Sequence, residues 1–130
     1  MTAIAPTVRT FHIAVLPGDG IGVEVTREAL RVLHAVAPSM EGVALTYHEY
    51  SVGAGEYLRS GDPLPAAALE ACAKADAVLL GAMGLPGVRW PDGREMTPQI
   101  DLREKLDLDA GVRPIKLYHA SDTPLKGYGS

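Results

Sequence analysis

The sequence predicts an α/β fold in which an open sheet is flanked by helices. Two stretches, Phe11–Leu16 and Asp76–Ala82, are apolar throughout, and Val43–Val52 alternates like a further strand. Helical patterns separate these three stretches, and strands separated by helices indicate a parallel sheet covered on both faces. A tight turn with three glycines follows the first strand, as in domains that place a ligand at the end of a strand.

The first helix is predicted over residues 22–37, because apolar residues recur along one stripe at helical spacing. These residues are Val25, Ala29, Val32, Leu33 and Val36. Residues 53–61 predict only a short, poorly defined turn of helix. An alanine-rich helix follows over residues 62–75, with Asp62 and Pro63 as its start signals.

The second half of the chain begins with a loop rich in glycine and proline, "MGLPGVRWPDGRE", which is longer than most connections between a strand and a helix. Thr97 as N-cap and Pro98 in the first turn then start another helix. The stretch "AGVRPIKLY", residues 110–118, predicts an outgoing strand.

Composition narrows the class of protein. The 130 residues carry 12 basic and 16 acidic side chains, for a net charge of −4, and no basic run suggests a nucleic-acid surface. Cys72 is the single cysteine, so we expect a buried core residue and no disulfide. No apolar run is long enough for a membrane span, and residues 1–10 lack the pattern of a signal peptide. We therefore expect a flexible tail over residues 1–10 and a cytoplasmic protein.

The glycine turn "PGDGIG" does not fit the dinucleotide-binding fingerprint. That fingerprint is Gly-x-Gly-x-x-Gly, whereas Val23 stands where its third glycine would fall. Asp19 adds a negative charge that would repel a pyrophosphate, and Pro17 removes a backbone donor. The sequence therefore predicts a tight turn here, and the function of this turn has to be inferred from other residues.

Arg103 and Arg113 are the strongest candidates for ligand binding. A helix followed by a returning strand can bring both over one crevice, and arginine presents a planar fork that suits carboxylates. The alternative is two solvated surface arginines, with Arg103 paired to Glu104 or Asp107. The four histidines are scattered, and no cluster has metal-ligand spacing.

Three stretches together resemble one enzyme family. "IAVLPGDGIGVEVTREALRVL", "ADAVLLGAMGLPGVRW" and "LREKLDLDAGVRPIKLY" are similar, in this order, to the N-terminal third of the β-decarboxylating dehydrogenases, which include isopropylmalate, isocitrate, homoisocitrate and tartrate/D-malate dehydrogenases. The resemblance covers residues 11–125. It implies an isopropylmalate dehydrogenase-like open sheet and not a Rossmann fold, with residues 126–130 beginning a segment that continues beyond the chain.

The resemblance also implies a reaction and its site. A 2-hydroxy acid of two or three carboxylates is oxidised by NAD or NADP and decarboxylated with Mg²⁺ or Mn²⁺, and Arg103 and Arg113 bind its carboxylates. The cofactor is expected to contact Ile21 and the loop 84–97. The loop residues expected at the cofactor are Gly84, Leu85, Pro86, Met96 and Thr97.

Three positions depart from the isopropylmalate enzymes. Met96 stands where those enzymes carry a glutamate, and Gln99 and Ile100 stand where they carry two leucines. A polar Gln99 facing the substrate suits a small or polar substituent better than isopropyl, and the alternative is that Gln99 points to solvent.

The chain is also shorter than members of the family. It ends before the family's catalytic Tyr and Lys and its metal-binding aspartates, so we expect a truncated chain that is inactive alone and part of a homodimer when complete. Two other interpretations remain open, a non-catalytic regulatory member of the family and an independent flavodoxin-like binding module.

Overall fold

The computed structural model describes residues 7–123 of the chain. Three parallel strands form one sheet in the order β2-β1-β3. The strands are β1 (Arg9–Leu16), β2 (Val43–Glu49) and β3 (Ala77–Leu80). The helices are α1 (Ile21–Val36), α2 (Ala54–Ser60), α3 (Ala66–Lys74) and α4 (Pro98–Lys105), with 3₁₀ turns at Ala37–Ser39 and Ala120–Asp122. The α/β class and the parallel sheet are confirmed, while the predicted boundary at Leu125 and the segment 126–130 lie outside the described residues.

The first strand begins earlier than the sequence predicts. Arg9 and Thr10, which were expected in the N-terminal tail, pair with Val43 and Ala44 of β2. The Arg9 N–H also donates to the Gly42 carbonyl at 2.9 Å, and its guanidinium lies 4.4 Å from the centre of the Phe11 ring. These contacts extend β1 beyond its apolar run.

The central strand β1 carries the core. Ala14 and Leu16 are buried in a cluster on one face of the sheet. The other buried members of that cluster are Val52, Leu64, Ala68, Cys72 and Leu102. Val15 is fully buried outside this cluster, as expected for the residue that points to the opposite face. Cys72 is a buried free cysteine, as predicted, and burial raises the pKa of its thiol.

The buried face of α1 follows the predicted apolar stripe only in part. Gly22 and Thr26 are the buried residues of the helix, and Ala29 and Leu33 of the stripe are half-buried, whereas Val25, Val32 and Val36 are exposed. The reason lies at the start of the helix, where Gly22 packs directly against backbone atoms of neighbouring segments. That close approach fixes the rotation of α1 and turns the valines away from the sheet.

Helices α2 and α3 also differ from expectation. Residues 54–60 form two full turns of helix instead of a poorly defined one, and Gly61 ends the helix in a left-handed conformation with φ of 83°. Helix α3 begins at Ala66, not at Asp62. The Asp62 carboxylate instead accepts a 2.9 Å hydrogen bond from Leu64 N–H in a turn, and Pro65 disfavours helical geometry in the residue before it.

The predicted outgoing strand over residues 110–118 does not form. The segment is irregular, and within residues 7–123 no strand lies beside it. Val112 is 85% exposed and Ile115 93% exposed. A strand requires a partner for its N–H and C=O groups, and Pro114 lacks an N–H to offer.

Candidate functional site

The candidate site lies where β1 and β3 end. The chain leaves β1 through α1 toward β2 on one side of the sheet, and β3 lies on the other side. In open parallel sheets this divergence of connections opens a crevice at the carboxyl ends of the strands, where ligands bind. The glycine turn after β1 and the loop after β3 meet at this position.

The glycines of the turn make room for protein backbone. A Cβ atom at Gly18 would lie 2.1 Å from the Ala82 carbonyl oxygen, and one at Gly22 would lie 2.3 Å from the same atom. We call the contact between the glycine turn and residues 81–82 the joint. From the other side of this joint, a Cβ at Gly81 would lie 2.1 Å from the Pro17 carbonyl oxygen. The glycines of this turn therefore allow close packing against the backbone of residues 81–82.

The carboxylate of Asp19 is held inside the protein. It is 7% exposed and accepts hydrogen bonds from three backbone N–H groups, at 2.7 Å from Ala54, 2.8 Å from Gly55 and 2.8 Å from Gly84. From the sequence we interpreted this charge only as a repulsive element against phosphate. The structure shows that it binds the N-terminus of α2 and the loop after β3, a role that spacing along the chain does not reveal.

The residues predicted to contact a cofactor form two groups. Ile21, at the start of α1, is 67% exposed, and the Leu85 side chain lies 4.0 Å from the Cβ position of Gly20. Ile21, Gly84 and Leu85 are therefore on neighbouring segments at the carboxyl end of the sheet, with exposed Pro86 next along the chain. Met96 and Thr97 belong to the other end of the loop, and Met96 is 2% exposed.

The loop between these groups is more ordered than its composition predicts. Arg89 and Glu95 form an antiparallel bridge around a turn, in which Trp90 N–H donates to the Arg94 carbonyl at 2.9 Å. The Trp90 ring packs edge-on against Tyr57 of α2, with 5.2 Å between ring centres. Helix α2 therefore supports the loop through this aromatic contact as well as through Asp19.

Both candidate arginines are exposed, which agrees with the alternative of two solvated surface arginines. Within residues 7–123, neither Arg103 nor Arg113 makes a salt bridge or a side-chain hydrogen bond, so Arg103 does not pair with Glu104 or Asp107. Asp107 adopts a left-handed conformation with φ of 54° and turns the chain back after α4. Arg103 Nη2 consequently lies 3.9 Å from the Cβ position of Gly111, two residues before Arg113.

The start of α4 carries the remaining predicted residues. Thr97 is the N-cap and Pro98 the first helical residue, as predicted, although the Thr97 side chain makes no capping hydrogen bond. Gln99 lies one helical turn before Arg103, and its Oε1 atom is buried without a hydrogen-bond partner in the described part of the chain. Ile100 is 40% exposed. A buried amide oxygen does not match the alternative of a glutamine that points to solvent.

These features define an open α/β domain whose glycine turn is a packing joint and not a phosphate cradle. The sequence profile described as isocitrate/isopropylmalate dehydrogenase matches residues 12–128, and the chain belongs to that family. The resemblance found in the sequence is thereby confirmed.

Relatives of known name agree with this assignment. A 3-isopropylmalate dehydrogenase of Symbiobacterium thermophilum is 47% identical over 112 residues, which are 84% of this chain and 30% of the relative. The Aquifex aeolicus protein of the same name is 41% identical over 91% of this chain and 33% of its own length. The chain thus spans about a third of the curated relatives that it matches.

Two solved structures share the fold. A β-decarboxylating dehydrogenase from Thermococcus kodakarensis superposes with a TM-score of 0.59 and 38% identity, over 75% of this chain and 27% of that one. An isocitrate dehydrogenase from Methylococcus capsulatus gives a TM-score of 0.61 and 27% identity, over 75% of this chain and 26% of that one.

In the described residues, no helix is long and apolar enough to cross a bilayer.

Proposed function

We propose that this chain is the N-terminal part of an NAD(P)- and metal-dependent dehydrogenase that oxidises and decarboxylates a malate-type 2-hydroxy acid. Membership of the isocitrate/isopropylmalate dehydrogenase family supports the reaction class. The share of its relatives that the chain spans supports the view that other parts of the site lie elsewhere in a complete protein.

The observation that carries the proposal is the pair of unpartnered arginines. Arg103 lies on α4 and Arg113 follows the turn after it, and within residues 7–123 no carboxylate forms an ion pair with either. Two guanidiniums brought to one place repel each other unless an anion lies between them. A substrate with two carboxylates satisfies both, and each guanidinium can donate two parallel hydrogen bonds to one carboxylate. Arg103 and Arg113 would bind and orient the substrate, which accelerates the reaction where their contacts tighten in the transition state.

The cofactor-side residues support the same assignment. Exposed Ile21 and the adjacent Leu85 offer an apolar surface at the end of the sheet, which fits one face of a planar ring such as nicotinamide. When bound, NAD or NADP supplies hydride acceptance, and Mg²⁺ or Mn²⁺ supplies polarisation of the substrate carbonyl. The described residues contain no group of three or more His, Cys, Asp or Glu that could hold the metal. The roles proposed for this part of the chain are binding and orientation of the substrate and the cofactor.

Substrate preference depends on Gln99 in this proposal. Its unpartnered Oε1 is a buried acceptor one turn from Arg103, and an apolar isopropyl substituent would leave the amide unsatisfied. A substituent that carries a hydroxyl or carboxylic group can hydrogen-bond to the amide. We therefore expect a short or polar group at C3 to be favoured over isopropyl.

Assembly and location are part of the proposal as well. Exposed apolar side chains on α1 fit a surface covered by further protein, in agreement with a homodimer of complete chains. The single buried cysteine fits a reducing compartment such as the cytoplasm.

The test uses the complete protein that carries this chain. NAD(P) reduction is measured with 3-isopropylmalate, isocitrate, homoisocitrate, tartrate and D-malate in the presence of Mg²⁺ or Mn²⁺. Arg103→Ala and Arg113→Ala are each expected to lower kcat/KM by about 2–5 kcal/mol of transition-state binding, because each removes one partner of a desolvated charge pair.

Lys105→Ala is the matched control, since it removes a cation from the same helix on a different face. It should leave kcat/KM within a factor of about two of the wild-type value. A wild-type protein that reduces neither cofactor with any of these acids would instead favour a non-catalytic member of the family.

A further inference from the structure

Two other segments of the chain converge on the carboxylate of Asp19. The Ala54 and Gly55 N–H groups belong to the first turn of α2, 35 and 36 residues further on, and the Gly84 N–H begins the loop after β3. The carboxylate also fits tightly against Gly53, where a Cβ atom would lie 2.4 Å from Oδ2. The negative charge that binds these N–H groups is thus supplied by the chain itself.

Asp19 is bound to the loop after β3 through its backbone too. Its N–H donates to the Ala82 carbonyl at 2.8 Å, while Oδ2 accepts from Gly84 N–H at 2.8 Å. Gly20 is the next residue, and the Leu85 side chain lies 4.0 Å from its Cβ position. Asp19 therefore holds the segment that begins α1 at Ile21 against the Gly84–Leu85 segment.

We propose that Asp19 is a positioning residue for the nicotinamide side of the cofactor. This inference rests on the proposed function, because Ile21 and Leu85 are the residues expected to contact the cofactor. Asp19 touches neither the cofactor nor the substrate in this account. It acts by holding the turn and the loop at a fixed separation, and a displacement of about 1 Å at such a site lowers catalysis by about a hundredfold.

Removal of the side chain has a specific consequence. Asp19→Ala leaves three convergent N–H groups without an acceptor and opens a hole the size of a carboxylate. Formate has the shape and charge to fill that hole, so it should restore the contacts. Asp62→Ala is the matched control, because the Asp62 carboxylate accepts from the N–H of Leu64 only two residues away and lies outside the loop expected at the cofactor.

The first measurement is the steady-state kinetics of the complete protein. Asp19→Ala is expected to raise KM for NAD(P) by about a hundredfold, and saturating formate should bring this KM back to within about tenfold of the wild-type value. Asp62→Ala should stay within a factor of about two of the wild-type KM, with or without formate. If Asp19 only stabilises the fold, the folded fraction of Asp19→Ala will keep the wild-type KM and formate will change nothing, which would overturn the proposal.

The second measurement does not depend on activity. Hydrogen exchange at the Gly84 amide should be slow in the wild-type protein and about tenfold or more faster in Asp19→Asn, which keeps the shape of the side chain but turns one acceptor into a donor. Fast exchange at Gly84 in the wild type, or no change in Asp19→Asn, would contradict the anchoring itself even where Asp19→Ala does not fold. If the wild-type protein has no dehydrogenase activity, the proposed function fails, and the exchange rates decide separately whether Asp19 holds the loop.

Discussion

Replacement of Gly81 by alanine should disrupt the joint between the glycine turn and the loop after β3. The new methyl group would lie 2.1 Å from the Pro17 carbonyl oxygen and 2.5 Å from the Thr26 hydroxyl. Ordinary van der Waals contact begins near 3.4 Å, so the two segments would have to separate by about 1.3 Å. Gly81 has no positive φ, so the expected effect is steric and not conformational.

The hydrogen bonds around the joint determine how much unfolding free energy Gly81→Ala should lose. Gly81 N–H donates to the Leu16 carbonyl at 2.8 Å and Asp19 N–H to the Ala82 carbonyl at 2.8 Å. A separation of that size takes both bonds beyond hydrogen-bonding distance, at about 1 kcal/mol each, and overpacking adds about 1–3 kcal/mol. We expect Gly81→Ala to lower the free energy of unfolding by about 3–5 kcal/mol.

Urea unfolding of the complete protein, followed by circular dichroism, measures this change. Gly87→Ala is the control, because Gly87 lies in the same loop and a Cβ there has nothing within 4 Å. That control should stay within about 0.5 kcal/mol of the wild type. A Gly81→Ala variant as stable as Gly87→Ala would refute the close packing of the two segments.

Three further predictions concern single side chains. Gln99→Leu should shift kcat/KM toward 3-isopropylmalate by about ten- to a hundredfold relative to D-malate, because the unsatisfied amide is removed; an unchanged ratio would mean that Gln99 does not face the substrate. Asp107→Gly should raise the unfolding free energy by up to about 1 kcal/mol, since glycine adopts the positive φ of this position without strain, and urea unfolding would show it. The hydrogen bond from Ser51, with smaller contributions from Ser60 and Arg59, lowers the pKa of the buried Glu56 carboxyl against the opposing effect of desolvation. The stabilisation that ionised Glu56 gives to the folded state is therefore present above the ordinary glutamate pKa and is lost as the pH falls through the lowered pKa. Between about pH 7 and pH 3, the wild type should lose more unfolding free energy than Glu56→Gln. Equal losses in the two proteins would contradict this.

Sequence patterns predicted strands and helices correctly where interactions between residues close in the chain determine the structure. Two apolar runs and one alternating stretch predicted the three strands of the described sheet, and Thr97 followed by Pro98 predicted the start of α4 at the observed residue. Helix α2 was underestimated because the acceptor at its N-terminus is Asp19, which lies 35 residues earlier in the chain. No local signal indicates such a cap.

Two other differences have causes that also lie outside local sequence. The periodicity of α1 identified its apolar stripe, but the buried face is set by the contact of Gly22 with the Ala82 backbone, which depends on how two distant turns meet. The stretch 110–118 has the composition of a strand, yet a strand forms only beside a partner, and none lies beside it in residues 7–123.

The candidate site likewise contains residues that the sequence predicts and a role that only the fold shows. The arginines and the cofactor-side residues were predicted from motifs, because each motif is a short continuous stretch of the chain. The sequence did not show whether Arg103 is free of an ion pair, because the same sequence is compatible with a pair between Arg103 and Glu104. The role of Asp19 likewise required the fold, because its three hydrogen-bond donors come from two other segments.

Calorimetric titration of the complete protein with D-malate and with 3-isopropylmalate tests the central claim most directly, namely that Arg103 and Arg113 bind the carboxylates of the substrate. We predict that the wild type and Lys105→Ala bind the favoured acid with equal affinity, whereas Arg103→Ala combined with Arg113→Ala weakens binding by at least about a hundredfold. Equal affinity of the wild type and the double variant would contradict the account.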